Sequence, residues 1–143
     1  MKRVAFSVLA LCIAVVQVPI AAQSTPTAMS PAQAVAAAAA APAGEVAGVF
    51  DVVVGSTGAA GFQVYLNSAK DYHDPANLTI ELDPGPRAKL KDQIGGEPDT
   101  MMVGKHIRIT GVAKRIAIPH RDGTTAYQTR VRVEKTDQLT LIN

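Results

Sequence analysis

Tryptophan is missing from this chain, and cysteine occurs once, at Cys12. One cysteine can close no disulfide within the chain and build no cysteine-based metal cluster. Phe, Trp and Tyr together make up only 4% of the residues, three Tyr and three Phe, so any surface for stacking is small. Charge of one sign is missing too. The 14 Lys and Arg stand against 12 Asp and Glu, which excludes a polybasic nucleic-acid arm and an acidic tail. No apolar run reaches the roughly 20 residues that a membrane-spanning helix needs. At 143 residues the chain has room for one domain with processing segments, and not for two ordinary domains.

The apolar stretch at 4–16 follows Lys2 and Arg3 and is broken only by Ser7 and Cys12. Pro19 interrupts it, and the small residues Ala21 and Ala22 follow. A basic start, a short apolar core and small residues at a cleavage point predict a signal peptide over 1–22. Leu9-Ala10-Leu11-Cys12 is loosely like a lipoprotein acylation site, but the residue before the cysteine should be small and Leu11 is not. Cleavage after Ala22 removes the cysteine, which suits an oxidising compartment, and predicts a periplasmic or secreted location. It also removes Lys2 and Arg3, leaving 12 basic and 12 acidic residues.

That zero hides an asymmetry. Residues 45–99 carry nine acids and four bases, whereas 100–143 carry eight bases and three acids. Either the halves neutralise each other across a folded sheet, or the second half offers a basic binding face.

Residues 23–44 are rich in Ala, Pro, Ser and Thr and hold no charge until Glu45. Ser30 as N-cap and Pro31 at the first helical position predict a short helix through Ala41, stopped by Pro42. With Val35 as its one large apolar residue, the segment is expected to be a flexible spacer that docks weakly. The domain proper is expected over 45–143.

From Glu45 the apolar period becomes two. Val46, Phe50, Val52 and Val54 share a face, and 55–58 read as a turn. A second strand is expected over 61–67, with Phe62, Val64 and Leu66 inward, and a third over 77–82. Pro84-Gly85-Pro86 breaks the chain, and 87–94 reads as a short helix ended by Gly95-Gly96. A long fourth strand over 105–118 and a fifth over 126–134 flank the Asp122-Gly123 turn. An apolar edge at 139–142 closes the sequence.

Strand–strand–strand–helix–strand–strand is the order of the OB-fold. The predicted class is therefore mainly β, an OB-fold-like five-stranded Greek-key barrel with one short helix between strands 3 and 4. A twisted α+β sheet of the same strand count is the alternative. Tyr65-Leu66-Asn67-Ser68-Ala69-Lys70-Asp71-Tyr72 resembles the aromatic-Leu-Asn-x-x-Lys-Asp-Tyr segment of small OB-fold domains in exported bacterial proteins. Gly104-Lys105-His106-Ile107-Arg108-Ile109-Thr110-Gly111 is similar to their fourth strand. The resemblance spans 44–142 and implies an OB fold and export, and no catalytic residue comes with it.

Asp71, His73 and Asp74 could offer ligands to a divalent metal, but no second cluster nearby completes a shell and Asp74-Pro75 is ordinary turn chemistry. No metal or cofactor is expected. The three histidines are far apart in sequence and no Ser or Cys sits in a nucleophile elbow, so no enzyme is expected. Asn77-Leu78-Thr79 matches a glycosylation sequon, discounted because it lies in a strand of a bacterial-looking chain.

Binding is the expectation that remains. OB-folds take ligands on the face of strands two and three, flanked by two loops, expected here at 55–60 and 119–125. Tyr65 and Tyr72 are the candidate stacking residues, with Tyr127 a weaker one. Arg108, Arg130 and Arg132 alternate on strands four and five and would form an exposed row, which Arg121, Lys114 and Arg115 extend toward phosphates. The reading is an exported, non-enzymatic binding module for an unidentified envelope protein or ligand. Single-stranded nucleic acid is the alternative partner, and a solvated strand face that blocks edge pairing is the bland account of the row.

Overall fold

A computed structural model describes residues 25–143, so the leader read over 1–22 lies outside the described residues. Three helices and seven strands follow in the order α1 (Pro31–Ala40), β1 (Glu45–Val53), β2 (Ser56–Ala60), β3 (Gln63–Asn67), β4 (Leu78–Leu82), α2 (Pro84–Ile94), α3 (Pro98–Met101), β5 (His106–Pro119), β6 (Thr125–Val133) and β7 (Leu139–Ile142). The class is mainly β. One mixed sheet runs β1-β5-β6-β4-β3-β2, with β7 added to β5. All its pairings are antiparallel except β4 with β6.

The period-two residues behave as their pattern dictates. Phe50, Val52 and Val54 of the first strand, Val64 and Leu66 of β3, Leu78, Ile80 and Leu82 of β4, Ile107 and Ile109 of β5, and Val131 and Val133 of β6 are buried together in one core. Each fully buried Leu, Ile, Val or Phe is worth about 1.5–3 kcal/mol relative to exposure, so this cluster is the main driving force for folding.

The strand expected as one unit from 45 to 54 is longer and divided. Of residues 55–60, expected as a turn and loop, Ser56–Ala60 form β2, and the true turn is the two-residue Gly61–Phe62, where Gly61 supplies φ +60°. The division has a local cause. Val54 N–H donates to Lys105 O at 2.9 Å, while Gly55 N–H donates to Asn67 O at 2.8 Å. The chain thus leaves the β5 side and joins β3 within one peptide unit. A Cβ on Gly55 would lie 2.8 Å from the Ala69 carbonyl carbon and the Ser68 oxygen, so a side chain here meets backbone. β1 and β2 do not pair, and the ladder is open between them, but only Val54 and Gly55 separate the first and last strands of the sheet.

Two helices differ from expectation. α2 begins at Pro84, because Pro84 and Pro86 occupy the first turn, where backbone N–H groups have no intrahelical partner to lose. Pro86 is buried beneath it with Leu90, and Gly95 ends it at φ +75°. A second, one-turn helix, α3, follows before β5. The sequence pattern places one helix there.

The weakly docking spacer is corrected over 31–40. Ser30 and Gln33 form a reciprocal capping box, and Ala34 and Ala38 on one face of α1 are fully buried. The helix packs against β1 and β5. Alanine's small side chain lets the helix backbone approach the sheet closely, so no large apolar residue is needed for burial. Just before it, Met29 makes a parallel bridge to Phe50, its N–H donating to Val49 O at 2.8 Å and its carbonyl accepting from Asp51 N–H at 3.0 Å. This covers part of the outer edge of β1. Among the described residues, no helix is long and apolar enough to cross a membrane.

Gly55→Ala is expected to cost roughly 1–3 kcal/mol, the range for forcing atoms into a packed site. Gly58→Ala, where a Cβ meets nothing within 4 Å, should change stability by less than about 0.5 kcal/mol. Urea unfolding of the two variants checks the contrast.

Candidate ligand cleft

The outer face of the sheet is built from the residues that alternate with the core. Register sets Gly58 opposite Tyr65, Tyr65 opposite Glu81, and Asn67 opposite Thr79, while Thr79 lies beside Arg130 of β6. β2 contributes Ser56, Thr57, Gly58, Ala59 and Ala60, a wall with almost no side-chain bulk. The result is a cleft of about 560 Å³, walled by β2, floored by Tyr65, Asn67 and Thr79, and bounded by Lys70, Tyr72, Gln128 and Arg130. That volume lies within the usual range for small-molecule and cofactor sites.

A chain of polar contacts sets the floor. Tyr65 Oη donates to Gln63 Oε1 at 3.2 Å, and Gln63 Nε2 donates to Glu81 Oε1. Glu81 Oε2 lies 3.9 Å from Arg130 Nη1, and Arg130 donates twice to Gln128 Oε1, at 3.1 and 2.8 Å. The guanidinium stands 5.8 Å from the Tyr65 ring centre. Arg130 is therefore held over the cleft with its orientation fixed from two sides.

A second network holds the rim. Thr79 Oγ1 donates to Asn67 Oδ1 at 2.9 Å, and Asn77 Nδ2 donates to Thr79 Oγ1 at 3.0 Å. Asn77 Oδ1 accepts from Ala69 N–H at 3.0 Å, and Asn77 Nδ2 reaches Tyr72 O at 3.4 Å. Asn77 thus pins both ends of the segment that carries Lys70 and Tyr72. It is 4% exposed, so the sequon at Asn77 offers no accessible amide in the folded chain.

The cleft unites Tyr65, Tyr72 and Arg130 of the expected site and leaves out Arg108, Arg121 and Arg132. The arginine row is split: Lys114, Arg130 and Arg132 line a second groove together with Glu81 and Glu134, and Arg108 stands apart from them. Arg108 lies six residues along β5 from Lys114, the neighbour of Arg130, or about 20 Å at strand rise. Its guanidinium makes a two-pronged pair with Asp51, at 2.7 and 2.9 Å. Arg132 is taken by Asp83 at 3.0 Å and approached by Glu134 at 3.7 Å. Arg121 sits exposed in the turn between β5 and β6, outside the cleft.

The charge asymmetry of the two halves is resolved in the same pairs. Glu45–Lys114, Asp51–Arg108, Glu81–Arg130 and Asp83–Arg132 each join an acid of 45–99 to a base of 100–143. The Asp51 carboxyl is held below its ordinary value by the Arg108 guanidinium bonded to it. Asp122 is likewise lowered by the Thr124 hydroxyl and N–H that it accepts, which is the local chemistry of its turn.

Other expectations meet mixed outcomes. Phe50 is buried as expected, but Phe62, read as core-facing, is 83% exposed. It is in phase with Val64 and Leu66 yet occupies the turn, beyond the end of the core. Tyr72 is 51% exposed and lies 3.8 Å from the His73 ring. Asp71 accepts the His73 N–H and contacts its ring nitrogen, both at 2.9 Å, and Asp74 accepts from Ala76 N–H. No group of three metal-ligating side chains gathers among the described residues. Tyr127 is half exposed beyond the cleft, with Arg115 stacked 3.4 Å over its ring.

Lys70, Gln128, Asn67 and Thr79 were not among the expected site residues. Tyr65 and Asn67 share a face by period two alone. Placing Thr79, Gln128 and Lys70 beside them needs the register and the loop, which no local pattern encodes.

No protein-family model matches the chain, and no curated protein sequence matches it. Among solved structures, a mitochondrial single-stranded DNA-binding protein of S. cerevisiae aligns at 11% identity and TM-score 0.42, over 68% of this chain and 91% of that one. A Leishmania major Friedlin protein described as an aspartyl-tRNA synthetase aligns at 10% identity and TM-score 0.48, over 90% of this chain, which spans only 23% of its length. Neither likeness is close enough to carry an argument about this chain.

Asn77→Ala should cost about 1–3 kcal/mol, the penalty for stranding buried polar partners, and should speed amide exchange across 68–76. For Asp51, a lowered folded pKa means that its pair with Arg108 stabilises fully above the ordinary value of 3.8 and is lost as pH falls through the lowered value. Asp51→Asn should therefore lower Tm at about pH 7, with the difference from the parent shrinking as pH falls below 3.8 through the lowered value. Thermal melts across that range test it.

Proposed function

We propose that the chain is an exported, non-enzymatic binding module of OB type that takes its ligand in the cleft on the outer face of β2, β3, β4 and β6. The strand order supports the OB reading. With β1 and β2 taken as two halves of one long first strand, the sheet has five principal strands, a parallel pairing of the third with the fifth, and helical structure between the third and fourth. OB domains bind on the face of the second and third strands, beside the loop that joins the first two and the loop that joins the last two. Here that face is β3 and β4, and the cleft lies on it. This coincidence is the observation that carries the proposal.

The cleft's groups support a binding role. Two of its hydroxyls are engaged with backbone, Ser56 Oγ donating to Ala69 O at 2.8 Å and Thr57 Oγ1 to Asp99 O, and Thr79 Oγ1 donates to Asn67 Oδ1. None of His73, His106 and His120 lines it. The resemblance of 65–72 and 104–111 to exported OB domains supports an envelope role, as does the leader read over 1–22.

A second reading of the ligand, single-stranded nucleic acid, is favoured by one feature. The charged side chains that line the cleft are Lys70 and Arg130, both cationic, and they share it with the rings of Tyr65 and Tyr72. Phosphate-directed cations beside stacking aromatics are what single-strand binding requires.

Labelled oligothymidylate anisotropy against the domain spanning 25–143 tests the nucleic-acid reading and the cleft as its site, with Gly58→Tyr as a plug. Position 58 opens onto empty cleft, so the plug should leave the urea midpoint unchanged and abolish binding. Binding that survives the plug removes the cleft as the site. No oligonucleotide binding at low salt removes nucleic acid and leaves the envelope ligand.

A further inference from the structure

The ion pairs that neutralise the basic half of the chain also limit what the cleft can hold. Arg108 and Arg132 are each engaged by a carboxylate through two nitrogens, and Lys114 lies 3.5 Å from Glu45. Arg115 is committed to the Tyr127 ring, on the strand face opposite Gln128. Lys70 is exposed with no acidic partner among the described residues, and Arg130, oriented by the neutral Gln128 carbonyl, has a carboxylate only at the long distance of 3.9 Å, from Glu81. The side chains near the cleft that can accept a phosphate without breaking a close ion pair are therefore these two.

The geometry points to a two-phosphate footprint: the cleft takes a single strand of only two or three nucleotides, with Lys70 and Arg130 each on one phosphate and a base on Tyr65 or Tyr72. This deepens the nucleic-acid reading of the cleft and rests on it. A continuous row of basic residues would instead track a long strand. The two arrangements differ in a quantity that requires no structure of the complex. For single strands, log K falls with log salt at about 0.7 per neutralised phosphate. Two contacts give a slope of about −1.4, and six, the number of arginines and lysines in the row read from sequence, give about −4.2.

Anisotropy of a labelled oligothymidylate, repeated between about 50 and about 200 mM salt, reads the slope directly. The two-contact footprint predicts a loss of about sevenfold over that range, against about three-hundredfold for the row. Lys70→Ala, at an exposed position that the fold does not use, should bring the slope to about −0.7, and Arg130→Ala should do the same. Arg121→Ala and Arg132→Gln should leave both slope and affinity unchanged, circular dichroism confirming that each variant is folded. A slope near −4, or an equal loss in Arg121→Ala and Arg132→Gln, overturns the footprint while leaving nucleic acid as the ligand. No binding at about 50 mM salt overturns the nucleic-acid reading and the footprint with it.

Discussion

Between Val54 and Gly55 the chain changes neighbours, and the sheet takes its shape from that change. Val54 still bonds to Lys105, and the next N–H bonds to Asn67. Because the first strand serves β5 with one half and β3 with the other, the two ends of the sheet are held together by covalent chain rather than by a ladder. A sheet whose end strands are two residues apart must curl, and a curled sheet has an inside. Period-two alternation then sorts every strand into a buried row and an outer row without further instruction. Glycine is needed at 55 for room, since the 68–69 backbone passes where a Cβ would stand.

The same passage of backbone creates the cleft. Residues 68–77 leave β3 beside Gly55, rise over the outer face and return as β4, carrying Lys70 and Tyr72 with them. A loop of this length would ordinarily be mobile, yet Asn77 ties it at Ala69 and at Tyr72 and roots it in Thr79. The amide group sits where no water competes, so each bond counts more than it would at the surface. The rim is thus fixed before any ligand arrives, which lowers the entropic cost of binding.

How much of this could be read from sequence depends on the range of the interaction concerned. The buried rows in 46–54, 64–66, 78–82, 107–109 and 131–133 were legible, because period two is local and the core enforces it. Asp122-Gly123 and Gly95 were legible because a turn and a helix end have local backbone chemistry. The misread residues lie where the local pattern continues past the structure that gives it meaning. Phe62 keeps the inward phase of its strand but stands beyond the end of the core, and phase cannot say where a core stops. Pro84-Gly85-Pro86 looked like a break because a first helical turn tolerates the same residues as a loop. α1 looked unable to dock because the reading counted large apolar residues, whereas Ala34 and Ala38 dock by being small.

The arginines show the same limit for the candidate site. Their alternation on β5 and β6 is real, and it does place them on the outer face. What a surface arginine can bind, however, depends on whether an acid already holds it, and those acids come from β1, β4 and the start of α2. Asp83 is instructive. It occupies the N-cap position of α2 but makes no side-chain bond to that helix, its carboxylate being turned to Arg132 instead. The helix does not need the cap, because Pro84 and Pro86 leave fewer free N–H groups in its first turn. A proline-rich helix start in one half of the chain thereby releases an acid to silence a base in the other. The electrostatic surface is thus a property of the register, and single-strand periodicity, however regular, cannot distinguish an available guanidinium from a committed one.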